Sequence, residues 1–141
     1  MKKTMENIRN LISKFANSFD KKDWTGLRST LSDEVECDYS ALRGNIETIT
    51  GDDYVAKRIN ALDKLSTHHI ISNYEIQSDD KNATCIASTM IWRKQGNSEF
   101  NTHALYTFKL TNADFGWKIC AIKQEVYWNE GDASIHSGVK K

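Results

Sequence analysis

At residue 67 the repeat of apolar side chains changes from every third or fourth position to every second. That change restricts the chain to helices first and strands after. Thr67–Gln77, Ala83–Lys94, Glu99–Thr111 and Trp117–Trp128 are long runs, rich in the β-branched and aromatic residues that suit a pleated surface. The connections Ser78–Asn82, Gln95–Ser98 and Asn112–Gly116 are short and turn-like. Connections of that length allow only antiparallel neighbours, so the second half is expected as a meander. Helices followed by strands is the pattern of an α+β domain.

In the first half, Ile8, Leu11, Ile12, Phe15, Ala16 and Phe19 form one apolar stripe on a first helix. Asp20-Lys21-Lys22-Asp23 interrupts it, and Asp23 is predicted to cap a second, shorter helix that carries Trp24, Leu27 and Leu31 inward. Val35–Tyr39 alternates as a short strand, and a loop is expected around Arg43-Gly44-Asn45. Thr50 with Asp53 three residues on matches a capping pattern. The helix it starts places Val55, Ile59 and Leu62 on one face, flanked by Ala56 and Leu65. Three helices are thus available to cover a sheet whose apolar face would otherwise meet water. Curvature of that sheet would leave a hollow between the layers, the expected place for function. Residues 1–130 are read as this single domain, and 131–141 as a flexible, lightly docked tail with Ile135 and Val139 as its apolar residues.

Composition narrows the partners. Lys plus Arg equals Asp plus Glu at 19 each, which leaves no net field to draw the chain to nucleic acid or an anionic membrane. No apolar run approaches the roughly 20 residues of a membrane span, and the charged first fifteen residues do not form a signal peptide. Cys37, Cys85 and Cys120 are odd in number and far apart, which fits a reducing, cytoplasmic setting rather than a disulfide framework. Neither Cys-x-x-Cys nor His-x-x-x-His spacing is present, so no metal site is expected.

His68 and His69 are adjacent on a strand and must point to opposite faces. His69 shares its face with Ile71, Asn73 and Glu75, and His68 shares the other with Ile70, Tyr74 and Ile76. Periodicity alone assigns the more apolar face, with His68, to the interior.

The run Phe15-Ala16-Asn17-Ser18-Phe19-Asp20-Lys21-Lys22-Asp23-Trp24, with Leu27-Arg28 and then Cys37-Asp38-Tyr39, resembles the opening of fungal scytalone dehydratases. So do Thr67–Asn73, Gly116–Ile119 and Val126-Tyr127-Trp128, and together these resemble the wider SnoaL-like group of the nuclear-transport-factor-2-like superfamily. The resemblance implies a cone-shaped α+β fold around a small-molecule pocket, without a cofactor, in a homodimer or homotrimer. It places Asp20, His69 and Tyr39 on the group's catalytic aspartate, first histidine and one of two tyrosines. Phe19 stands where the other tyrosine would be, Arg93 falls near the second histidine, and Ala104 and Tyr106 fall near a pocket serine and asparagine. Phe19, Asn73, Arg93, Tyr106 and Trp92 are the candidate ligand contacts.

The chemistry implied is acid–base. Eliminating water beside a carbonyl requires removal of a carbon-bound proton and protonation of the leaving hydroxyl, and one histidine can do both in turn. A carboxylate on its ring would fix the tautomer and favour the protonated form. Tyr39 could donate to the substrate oxygen where charge develops. The leading expectation is a cofactor-independent lyase or isomerase acting on a small, hydrophobic, oxygenated, ring-containing metabolite. The alternatives are a non-catalytic binder of the same fold and an oligomeric adaptor. Each residue also has a plainer reading: Asp20 as a helix-end cap, His69 as a strand histidine, Tyr39 as a core aromatic, Arg93 as a solvated strand end. No role is assigned to His103 or His136.

Overall fold

The computed structural model describes residues 2–114 and 116–139. Phe115, in the expected last turn, and the Lys140-Lys141 pair lie outside the described residues. Helices α1 (Lys2–Lys21) and α2 (Trp24–Ser29) come first, then strand β1 (Leu31–Asp38), a single turn α3 (Ser40–Arg43), strand β2 (Ile46–Thr50) and helix α4 (Gly51–Leu62). Four long strands follow: β3 (Ser66–Ser78), β4 (Asn82–Gln95), β5 (Ser98–Ala113) and β6 (Gly116–Gly131). All six strands form one curved sheet in the order β2-β1-β6-β5-β4-β3. The long strands make the expected antiparallel meander. β1 pairs parallel with β6, and β2 extends that edge. α3 and β2 occupy the segment expected as a loop.

The end of α1 sets the position of Asp20. Lys22 adopts a left-handed φ of 54°, the Lys22 N–H donates to Phe19 O and the Asp23 N–H donates to Ser18 O. This is a Schellman stop, which leaves Asp20 in the last helical turn. Asp23 then caps α2 by accepting from the Gly26 N–H at 2.9 Å, as its sequence position predicts. At the next helix Thr50 accepts from the Asp53 N–H, the expected cap of α4.

The core lies between the inner sheet face and helices α1 and α4. Ile8, Ile12, Phe15 and Phe19 of α1 meet Tyr54, Val55 and Leu62 of α4 over Cys85, Phe108, Ile119 and Ile122 of the sheet. Phe15 is central, with edge-to-face contacts to Phe19 and Phe108.

One extra residue in β3 decides which histidine is interior. Pairing shifts between Ser72↔Ser88 and Glu75↔Ile86, and Asn73 takes a φ of 56° in that bulge. His69 and Ile71 point inward before the bulge, and Tyr74 and Ile76 do so after it. The parity change explains why strict alternation favoured the wrong face: His69 is buried, whereas Ile70 beside His68 is exposed on the outer surface. Bulges in β6, opposite His103/Ala104 and Lys109/Leu110, add to the curvature.

The segment 131–141, expected as a flexible, lightly docked tail, meets the body of the domain through its described residues, to Val139. β6 continues to Gly131, a 3-10 turn spans Ala133–Ile135, and His136 is 1% exposed. Val139 packs with Leu42 and Phe100.

Candidate active site

Asp20 and His69, 49 positions apart in sequence, are joined by two hydrogen bonds, and Thr67 adds a third to the same carboxylate. The His69 ring Nδ1–H donates to Oδ1 at 2.7 Å, the His69 backbone N–H donates to Oδ2 at 2.8 Å, and the Thr67 hydroxyl donates to Oδ1 at 3.0 Å. Three donors hold the carboxylate still, and the bond to Nδ1 leaves Nε2 as the ring's lone pair. Phe19 packs on the imidazole with ring centres 4.9 Å apart. Burial pushes the His69 pKa below its ordinary value, although the hydrogen bond and charge of Asp20 pull it up. Asp20 thus favours the charged ring, as expected, and the larger effect of burial outweighs it.

His69 forms part of the wall of a small internal cavity, with Phe19, Tyr39, Ile91, Arg93 and Tyr106. Six of the residues singled out in the sequence thus gather here, with Asp20 directly behind the imidazole. Two do not. Trp92 projects from the outer sheet face, 38% exposed and near His68, because its neighbours Ile91 and Arg93 take the inward positions. Asn73 is exposed in the β3 bulge and is removed from the inner face by the same extra residue.

The cavity also takes in Leu42 and Arg43 from α3, Arg58 and Leu62 from α4, Gln124 from β6 and His136 from the C-terminal segment. Arg58 had a visible signal, since it lies on the inward stripe of α4 between Tyr54 and Leu62. Gln124 alternates with Ile122 and Val126. Arg43 and His136 follow no period, and nothing local marks them. The volume is about 20 Å³, room for roughly one water rather than the expected hollow. A groove of about 810 Å³ beside α2 is larger, but it is open to solvent and its Arg28 is paired with Asp33 and Asp52.

The hydroxyls of the site are kept protonated. Burial raises the Tyr39 pKa well above the phenol range, with Tyr54 and Tyr106 adding to it. Burial likewise raises Tyr106 to about 12. Tyr106 accepts from Gln124 Nε2 at 3.0 Å, which leaves its own proton to donate. The Gln124 Oε1 atom is buried without a partner. Among the described residues no group of three or more metal-ligating side chains occurs, and no helix is long and apolar enough to cross a membrane.

A curved, unclosed sheet covered by N-terminal helices is the nuclear-transport-factor-2-like fold. The chain belongs to the SnoaL-like domain family, which matches residues 3–123. A dehydratase of Pestalotiopsis microspora is 26% identical over 130 residues, covering 82% of each chain. Among solved structures, a Kribbella flavida protein is similar with a TM-score of 0.89 and 21% identity, covering 95% of this chain and 97% of its own. A candidate scytalone dehydratase from Novosphingobium aromaticivorans gives 0.79 and 15% identity, covering 94% and 92%. At these identities the two structural likenesses establish the shared fold.

Proposed function

We propose that this protein is a cofactor-independent lyase or isomerase that moves a proton with His69 on a small, hydrophobic, oxygenated, ring-containing metabolite. The observation that carries the reading is the bond of Asp20 to His69 Nδ1, which leaves a neutral Nε2 beside the cavity. In the forward step Nε2 takes a proton from the carbon next to a carbonyl. That electron pair forms the carbon–carbon double bond as the neighbouring C–O bond breaks. The hydroxyl leaves as water with a proton returned by the imidazolium. Asp20 orients the ring and offsets its transient charge, and Tyr39 or Tyr106 donates to the carbonyl oxygen. Returning the proton to a different carbon would give an isomerase with the same residues. Phe19 and Arg93 act as ligand contacts. The dehydratase relative and the SnoaL-like family support this chemistry. A substrate needs more space than one water, so binding requires α3 or the segment around His136 to shift. Cytoplasmic residence and a homodimer or homotrimer are part of the same proposal.

The test is proton exchange in D2O with a panel of hydroxy-ketones, followed by NMR. Deuterium should enter beside the carbonyl in the wild type and not in His69→Ala or Asp20→Asn. Equal exchange in wild type and His69→Ala would end the acid–base reading. A second reading, a binder without catalysis, is favoured by Arg93 standing where the resemblance calls for a second histidine. Saturable binding with no exchange would select it.

A further inference from the structure

Three guanidinium groups converge on the cavity beside His69, each from a different element: Arg43 ending α3, Arg58 within α4 and Arg93 on β4. Arg58 and Arg93 are each 4% exposed. Among the described residues, no carboxylate lies within 4 Å of any of the three, although other charges in the molecule do pair. Asp20 is engaged by three donors behind His69. Removing cations from water without counter-charge is costly. At Arg43 the neighbouring cations add to that cost: burial and the nearby charge of Arg58 lower its pKa to about 10, whereas Tyr54 and Tyr39 keep Arg58 charged despite its burial.

Protein contacts relieve this cost only in part. Arg93 Nη1 donates to Thr102 Oγ1 at 2.8 Å and to Phe100 O at 3.4 Å. Arg58 lies over the rings of Tyr54 and Tyr39, at 4.1 and 4.8 Å from their centres. Arg43 Nε is buried with no partner. The C-terminal segment sharpens the pattern. Gly138 N–H donates to His136 Nδ1, so the proton of the neutral ring sits on Nε2, and Nε2 faces Arg43 Nη2 at 3.4 Å. Two N–H donors face each other there, and an acceptor seated near both would satisfy them.

We infer that the cavity is an anion site, and that the molecule bound beside His69 carries a carboxylate or an equally compact oxyanion held by Arg43, Arg58 and Arg93. The inference deepens the proton-transfer reading and rests on it only in assigning that molecule as substrate. It narrows the substrate class to anionic hydroxy- or keto-compounds, such as hydroxy acids. In that class, removing a proton next to the carbonyl builds further negative charge, which preorganised guanidiniums offset.

Formate and formamide are the probes, being small, nearly equal in shape and different in charge. Thermal unfolding and calorimetric titration at pH 7 and constant ionic strength read the binding, and benzoate with benzamide repeats the comparison at ring size. The expected result is saturable stabilisation by a carboxylate, none by its amide, and at least tenfold weaker carboxylate binding in Arg43→Gln and Arg93→Gln. Circular dichroism checks that each variant is folded, and the less buried Arg43 serves if Arg93→Gln fails to fold. Equal responses to carboxylate and amide, unchanged carboxylate binding in the folded arginine variants, or no response to either carboxylate would overturn the inference. His69→Gln separates the two readings, because it removes the base and keeps the guanidiniums. Formate binding that survives in a protein showing no proton exchange would leave the anion site standing without the acid–base reading.

Discussion

The phenolic oxygens of Tyr39 and Tyr54 lie 2.7 Å apart, and the guanidinium of Arg58 covers both rings. Tyr39 follows β1 and Tyr54 begins the first turns of α4, so this contact ties the sheet edge to the helix that carries the cation. Among the described residues Arg58 has no carboxylate partner, and its place in the core is held by aromatic faces and phenol oxygens.

Arg58→Met should therefore cost only about 1 kcal/mol, because the phenols and rings of Tyr54 and Tyr39 lose the cation they hold while keeping each other and an apolar side chain fills the space. Turnover or ligand binding should fall at least tenfold. Urea unfolding and binding measurements on the same variant check both halves. A loss of more than about 2 kcal/mol would mark Arg58 as a structural residue.

Asp20→Asn should lower turnover at least a hundredfold while the fold persists, because an amide can present its N–H to the ring and reverse the tautomer. Asp20→Ala should also destabilise the protein by about 2 kcal/mol, since the His69 N–H and the Thr67 hydroxyl lose their acceptor. Kinetics and urea titration separate these two losses.

Acid should destabilise the protein before its carboxylates titrate. Burial lowers the pKa of His69 and takes that of His136 to about 2, with Arg93, Arg43 and Arg58 adding to the latter shift. The unfolded chain binds a proton at each site near pH 6.5 and the folded chain does not, so stability is full above 6.5 and falls as pH drops toward the folded values. From pH 6.5 to 5 the His136 contribution alone is about 2 kcal/mol, of which His136→Asn should remove most. Urea unfolding at both pH values measures the difference.

Asn73→Gly should be tolerated and Asn73→Val should cost about 1–2 kcal/mol, because a β-branched residue resists the left-handed φ of 56°. Thermal unfolding of the two variants decides whether the bulge holds β3 in register.

Much of this was readable before any coordinates. The four long strands, both helix caps and the stripe from Ile8 to Phe19 follow from local rules that operate within one element. The Asp20–His69 meeting came from resemblance, because no periodicity links residues 49 positions apart. Strict alternation put His68 inside, and the correction needed knowledge of one unpaired residue at Asn73, which the sequence marks with nothing stronger than an asparagine. The same extra residue removed Asn73 from the predicted ligand wall. The strand β2, the α3 turn and the docking of His136 depend on tertiary contacts that no window of neighbouring residues records.

The parallel pairing of β1 with β6 sets the order in which the protein can be finished. Leu31 is partnered with Ile119 and Cys37 with Ile122, so the early strand waits for the last one. During synthesis on the ribosome, β1 and β2 lack their bridge to the rest of the sheet until the residues of β6 have emerged. Chains cut short before residue 117 would leave the inner faces of Val35 and Phe108 without Ile119 and Ile122. Such fragments should be targets for chaperones and proteases rather than folding units in their own right.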